Sequence, residues 1–213
     1  MNEDGLIRVV LIRNGKPASN LEKRYAGRRN DDPLCPEGIR ELESIAPQFH
    51  ALVGDGSLIF SGYSKRCVES ARILSRLCSP KLDPLVVERL KEIDFGDFEG
   101  KTSAELADDP RYQTWLDSGG TTPFPNGESR KRFIKRTVDA IEDSVGLAFA
   151  ARRETAAFVC HGGNIMAFMS RMTGGEYFDF QVPPCGGYET TIKGTANGFE
   201  LISFDRGDDR LRA

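Results

Sequence analysis

The chain has 213 residues, with 29 Lys and Arg against 32 Asp and Glu for a formal charge of −3. Hydrophobic residues at 39% and charged residues at 29% exclude wholesale disorder, and the near-balance of charge excludes a global basic field for nucleic acid or an anionic membrane, so any anion must be held by a local cluster. Cys35, Cys67, Cys78, Cys160 and Cys185 include no C-x-x-C pair, which argues against a secreted disulfide framework and a zinc site and fits reduced thiols in a cytoplasm.

The start, with Glu3 and Asp4 ahead of a short apolar run broken by Arg8, lacks the basic end of a signal peptide. No stretch reaches the ~18 to 20 apolar residues that cross a bilayer. Leu6 to Ile12 reads as a buried strand running into the turn-prone Arg13-Asn14-Gly15. Residues 26–36 are loop-like, and residues 37–52 place Ile39, Leu42, Ile45, Ala46 and Phe49 on one helical face that Pro47 should kink or shorten. Ser57 to Ser61 is a short strand, and Ser64 to Leu77 is an amphipathic helix with Val68, Ala71, Ile73, Leu74 and Leu77 inward.

Leu85 to Val87 is a further strand, and the glycines and prolines of about 97–127 mark a lid or insertion. Glu128 to Arg152 carries the longest helical pattern, with Phe133, Thr137, Ile141, Val145 and Ala148 on one side. Thr155 to Cys160 is a strand, His161-Gly162-Gly163 a tight turn, and Asn164 to Met172 a helix. Tyr188 to Ile192 and Phe199 to Phe204 form a terminal hairpin. Alternating strands and helices over residues 1–213 predict one α/β domain, and ligands of such sheets bind beyond the strands' carboxyl ends.

Three predicted strands end in polar turns that could converge there. Arg13 and Arg66 supply forked donors matched to phosphate oxygens, and the Gly-rich helix start after His161 adds backbone N–H groups. Several established phosphate and acyl chemistries fail on spacing. No cysteine is followed by the C-x5-R of a thiolate phosphatase, there is neither a G-x-x-x-x-G-K-[ST] nor a G-x-S-x-G, and Asp94-Phe95-Gly96 lacks the companions of a kinase D-F-G.

Leu11-Ile12-Arg13-Asn14-Gly15 resembles the R-H-G signature of the histidine phosphatase superfamily, with Asn14 where the family has histidine. Asn20 falls at the family's phosphate-binding Asn, and Gly27 through Gly38 resembles its G-x-x-D-x-P-L-T-x-x-G segment. Ser61 through Ala71 is similar to S-x-x-x-x-R-x-x-x-T-A, and Leu90 through Gly100 to L-x-E-x-x-F-G-x-W-E-G. Pro125 to Ser129 resembles P-x-G-E-S, and Val159 to Gly163 resembles V-x-H-G-G. The resemblance implies a three-layer α/β/α sandwich of the phosphoglycerate mutase-like type with a mostly parallel central sheet, acting as a phosphatase or mutase on a small phosphorylated metabolite.

Carried over position by position, it makes Arg13, Asn20, Arg66, His161 and Gly162 the phosphate site and Glu92 the proton donor, with no metal or organic cofactor. It puts Asn14 where the nucleophile belongs. A carboxamide nitrogen has its lone pair delocalised into the carbonyl and is neither basic nor nucleophilic, so Asn14 cannot form a phosphoramidate. Asn14 could still offer an N–H to phosphate. His50, the other histidine, lies in a predicted helix away from the turns. Three accounts stay open: a deliberate substitution that traps a complex, a natural non-catalytic phospho-ligand binder or sensor, and direct attack by water. The expected ligand is a phosphorylated metabolite or a phosphate or sulfate anion, and homodimerisation is left open.

Overall fold

The computed structural model describes residues 5–21, 23–78, 83–195 and 198–207, and the side chains of Asn20 and Leu21 lie outside that description. The elements run β1 (Leu6–Arg13), α1 (Ala18–Leu21), α2 (Pro36–Val53), β2 (Leu58–Gly62), α3 (Lys65–Leu74), β3 (Leu85–Val87), α4 (Ser103–Leu106), α5 (Pro110–Asp117), α6 (Arg130–Ala150), β4 (Thr155–Cys160), α7 (Gly162–Thr173), β5 (Gly187–Thr195) and β6 (Gly198–Arg206). They form one six-stranded sheet in the order β3-β2-β4-β1-β5-β6. The first four strands in that order pair in parallel, and β5 and β6 add an antiparallel hairpin to β1.

Strand periodicity builds the layers. Successive side chains of β1 point to opposite faces. Ile7, Val9 and Leu11 therefore join Ala156 and Phe158 of β4 under Ile141 and Val145 of α6 and Phe168 of α7. Val10 and Ile12 join Ala157 and Val159 against Leu42, Ile45 and Phe49 of α2 and Ile73 and Leu74 of α3. Both faces are covered, which is why β1 and β4 read as nearly unbroken apolar runs.

The helix starts follow local chemistry. Cys35 Sγ accepts the Gly38 N–H at the head of α2, where Pro36 occupies the first helical position, and Ser129 Oγ accepts the Arg132 N–H at the head of α6. Contrary to expectation α2 continues through Pro47 for 18 residues. Pro47 is exposed, so carbonyls that lose a partner face water, while Leu42, Ile45, Phe49 and Val53 bind both halves to the sheet. Helix α3 gives way at Ser75 to a 3₁₀ turn. Its tighter winding rotates Leu77, expected inside, out to 50% exposure.

Residues 97–127, expected as a lid or insertion, bear α4, α5 and a third apolar cluster. In it Phe98, Leu106, Tyr112 and Phe124 pack on Phe133 of α6 and Ala167 of α7. No helix among the described residues is long and apolar enough to cross a membrane.

Candidate active site

Four parallel strands end on one edge of the sheet, and the residues just beyond them meet there. β1 delivers Arg13 and Asn14, the turn after β2 delivers Ser64 and the first turn of α3 Arg66, the segment after β3 delivers Glu92, and β4 delivers His161 at the head of α7. A cavity of about 410 Å³ opens between Arg28, Arg29, Ser64, Arg66, Glu92 and His161.

Arg66 is almost wholly buried, and its guanidinium is held by the carbonyls of Asn30 at 2.7 Å and of Ala26 and Gly27 at 3.4 Å each. His161 is as deeply buried. Burial, followed by the cations Arg66, Arg13 and Arg136, holds its pKa well below the ordinary 6.5, so the imidazole is neutral at pH 7. Ser64 Oγ lies 3.3 Å from its Nε2.

Glu92 accepts the Ile93 N–H at 2.8 Å on one oxygen and the Gly163 N–H at 3.3 Å on the other. Desolvation raises its pKa above the usual carboxylate value, against the pull of those hydrogen bonds and of Arg66 and Arg13. Gly163 is required by this approach, because a Cβ there would collide with Glu92 Oε1.

Arg13 and Asn14 are not part of the cavity wall; they flank it from β1. Arg13 donates to the Val182 carbonyl at 2.7 Å, and a Cβ on Gly162 would stand 3.3 Å from its Nε. Asn14 is buried, its backbone N–H prolonging the β1–β4 ladder to Cys160 at 2.9 Å. One of its side-chain N–H groups is taken by the Gly15 carbonyl at 2.8 Å. Its Oδ1 faces Cys67 Sγ at 3.8 Å, and the same sulfur lies 3.5 Å from His161 Nε2, so Cys67 joins the two residues beneath the cavity. Burial pushes the Cys67 thiol up to about 12, which leaves it protonated and without nucleophilic character.

Sequence reasoning did not find Cys67, Ser64 or the Arg136–Glu128 pair. Arg136 chelates Glu128 at 2.8 Å through two nitrogens and also binds the carbonyls of Arg89, Lys91 and Glu92, pinning the backbone that carries Glu92. Ser64, just past a predicted strand and two residues before Arg66, and Glu128, the Glu of the segment resembling P-x-G-E-S, carried a signal that could have been read; Cys67 and Arg136 did not. The backbone of Asn20 lies in α1, and its side chain is outside the described residues. His50 sits in α2 and pairs with Asp55 at 3.0 Å, apart from this edge. Among the described residues no group of three or more His, Cys, Asp or Glu could hold a metal ion.

The family model of the histidine phosphatase superfamily (branch 1) matches residues 9–204. A Hydrogenobacter thermophilus protein provisionally named phosphoserine phosphatase 2 is 28% identical over 169 residues, covering 78% of this chain and 79% of that protein. A bifunctional protein of Mycobacterium tuberculosis is 34% identical over 131 residues, which are 61% of this chain and 35% of that longer protein. Among solved structures, phosphoserine phosphatase of Entamoeba histolytica in complex with 3-phosphoglyceric acid superposes with a TM-score of 0.75 at 26% identity, covering 96% of this chain and 99% of that one. The six-stranded α/β fold agrees with that superposition, and the family match spans most of the sequence: the chain belongs to branch 1 of the histidine phosphatase superfamily.

Proposed function

We propose that this edge binds a small phosphorylated metabolite through Arg13, Arg66, His161, the Gly162 N–H and Asn20, with Glu92 as proton donor to the departing oxygen. The observation that carries the reading is the cavity in which Arg66, Glu92 and His161 face one another while Arg13 and Asn14 abut it from β1. Phosphoryl transfer is mostly positioning and charge stabilisation around three equatorial oxygens, which two guanidinium groups, a neutral imidazole and a helix N-terminus can supply. The raised pKa of Glu92 suits a carboxyl that must arrive protonated. Five buried free thiols support a reducing, cytoplasmic setting.

Asn14 stands at the position of the family's nucleophilic histidine, so the chain is an inactive or very slow phosphomonoesterase that retains its ligand site. The second reading, a phospho-ligand binder or sensor, draws support from a histidine-to-alanine mutant of the Entamoeba histolytica phosphoserine phosphatase seen in complex with phosphoserine. The test is Asn14→His assayed on p-nitrophenyl phosphate. Hydrolysis should rise by orders of magnitude, with an acid-labile phosphoryl group on residue 14 after rapid quench. If Asn14→His stays inactive on a broad panel while the chain binds phosphomonoesters, the binder reading stands alone. An ordinary turnover of ~1 to 10³ per second by the chain with Asn14 intact would instead establish attack by water.

A further inference from the structure

We infer that a second cavity, on the other side of Glu92, seats the organic group of the ligand and selects aromatic phosphomonoesters; the inference rests on the phosphate site proposed above. This cavity of about 300 Å³ has Glu92 in its wall, as the phosphate-side cavity does, and Glu92 is the one residue common to the two linings. A ligand whose phosphoryl group sits by Arg66 and His161, with its ester oxygen at Glu92, would extend its organic group into this cavity.

The continuation is aromatic. Its walls include Phe95, Trp115, Phe124, Tyr177 and Phe178. Phe95 and Phe124 meet edge to face at 5.0 Å, Trp115 and Phe124 lie 5.1 Å apart, and Tyr177 and Phe178 meet edge to face at 5.2 Å. Arg130, the other charged residue of the lining, lies over the rings of Tyr177 at 5.0 Å and Phe178 at 4.8 Å. The Tyr177 hydroxyl donates to the Gly163 carbonyl at 3.3 Å, which ties this wall to the residue whose N–H holds Glu92. Phe178 is 50% exposed. A ring entering beside it would bury apolar surface and find faces and edges for aromatic contact, whereas a polyol would meet mostly ring surface, with Arg130 and Gln181 among the few polar side chains of the wall.

Trp115 is the chain's sole tryptophan, so its emission reports on this cavity alone. Benzylphosphonate and methylphosphonate, whose C–P bonds resist hydrolysis, carry the same anion with and without a ring. Benzylphosphonate should bind about tenfold tighter or better, as burial of a ring implies, and should alone alter Trp115 emission. Phe178→Ala, at a half-exposed position that folding tolerates, should remove most of the preference and leave methylphosphonate affinity unchanged. Affinities within about twofold of each other, no response from Trp115, and methylphosphonate binding that still depends on Arg66 would overturn the aromatic subsite and leave the phosphate site standing. Failure of both phosphonates to bind would instead remove the phosphate site, and this inference with it.

Discussion

His161 bears a cost at the residue scale that can be read in solution. Its imidazole is surrounded by cations and shut from water, so its pKa in the fold lies well below the ordinary 6.5. Below about pH 6.5 the unfolded chain takes up a proton that the folded chain refuses. The stability this residue permits is therefore complete above that pH and is lost as pH falls, by at most about 1.4 kcal/mol per unit. Glu92 acts in the opposite sense: its raised pKa makes the folded chain the better proton acceptor above the usual carboxylate range, so acidification there favours folding. Denaturant midpoints from pH 7.5 to pH 5 should show a steeper acid loss in the chain as it stands than in His161→Gln, and equal slopes would mean that the imidazole is not held neutral. Arg13, Arg66, Glu92 and His161 were legible in the sequence because each stands in a short motif after a strand. Cys67 was not, since the property that matters, its position under both Asn14 and His161, arises only when β1, α3 and β4 are assembled.

At the scale of elements, α6 does more than cover the sheet. Arg136, two turns beyond Glu128, reaches out of the helix to three carbonyls of the segment 89–92 and forms a nearly buried ion pair, the two side chains being 19% and 5% exposed. Removing one partner of such a pair leaves an uncompensated charge, typically at about 3–5 kcal/mol. Arg136→Ala should cost that much in urea denaturation and weaken phosphate binding, because Glu92 loses its backbone anchor. The double variant Arg136→Met with Glu128→Gln should cost clearly less than the two single losses added together. Strict additivity would show that the pair is not coupled. The sequence marks Glu128 through the segment resembling P-x-G-E-S but nothing in it announces Arg136 as the partner. Helical and strand periodicity made the helices and strands readable, but periodicity is silent about where a long side chain reaches. The same holds for residues 97–127, which are held by contacts such as Tyr25 with Tyr112 and Trp115, far apart in the chain and without any repeat to betray them.

Across the whole molecule, the layered fold makes the site a joint product of four strands. Arg13 follows from β1, Arg66 from β2, Glu92 from β3 and His161 from β4, and their parallel pairing places all four at one edge. None of these residues would be near another in the unfolded chain, so an anion held by them binds the folded state alone and stabilises it by mass action. At a phosphate concentration 100 times Kd the gain is about 3 kcal/mol, or roughly 5–10 °C in Tm for a chain of this length. The net charge of −3 is too small for bulk charge neutralisation to imitate that shift, and sodium chloride at matched ionic strength provides the comparison. The chain should therefore show a Tm that climbs with the logarithm of phosphate concentration above Kd and no such rise with chloride. Arg66→Ala should abolish the phosphate-dependent part, whatever it does to the baseline Tm. A rise that persists undiminished in that variant would place the anion elsewhere on the molecule, and the convergence of the four strand ends would then be an architectural inheritance without a ligand.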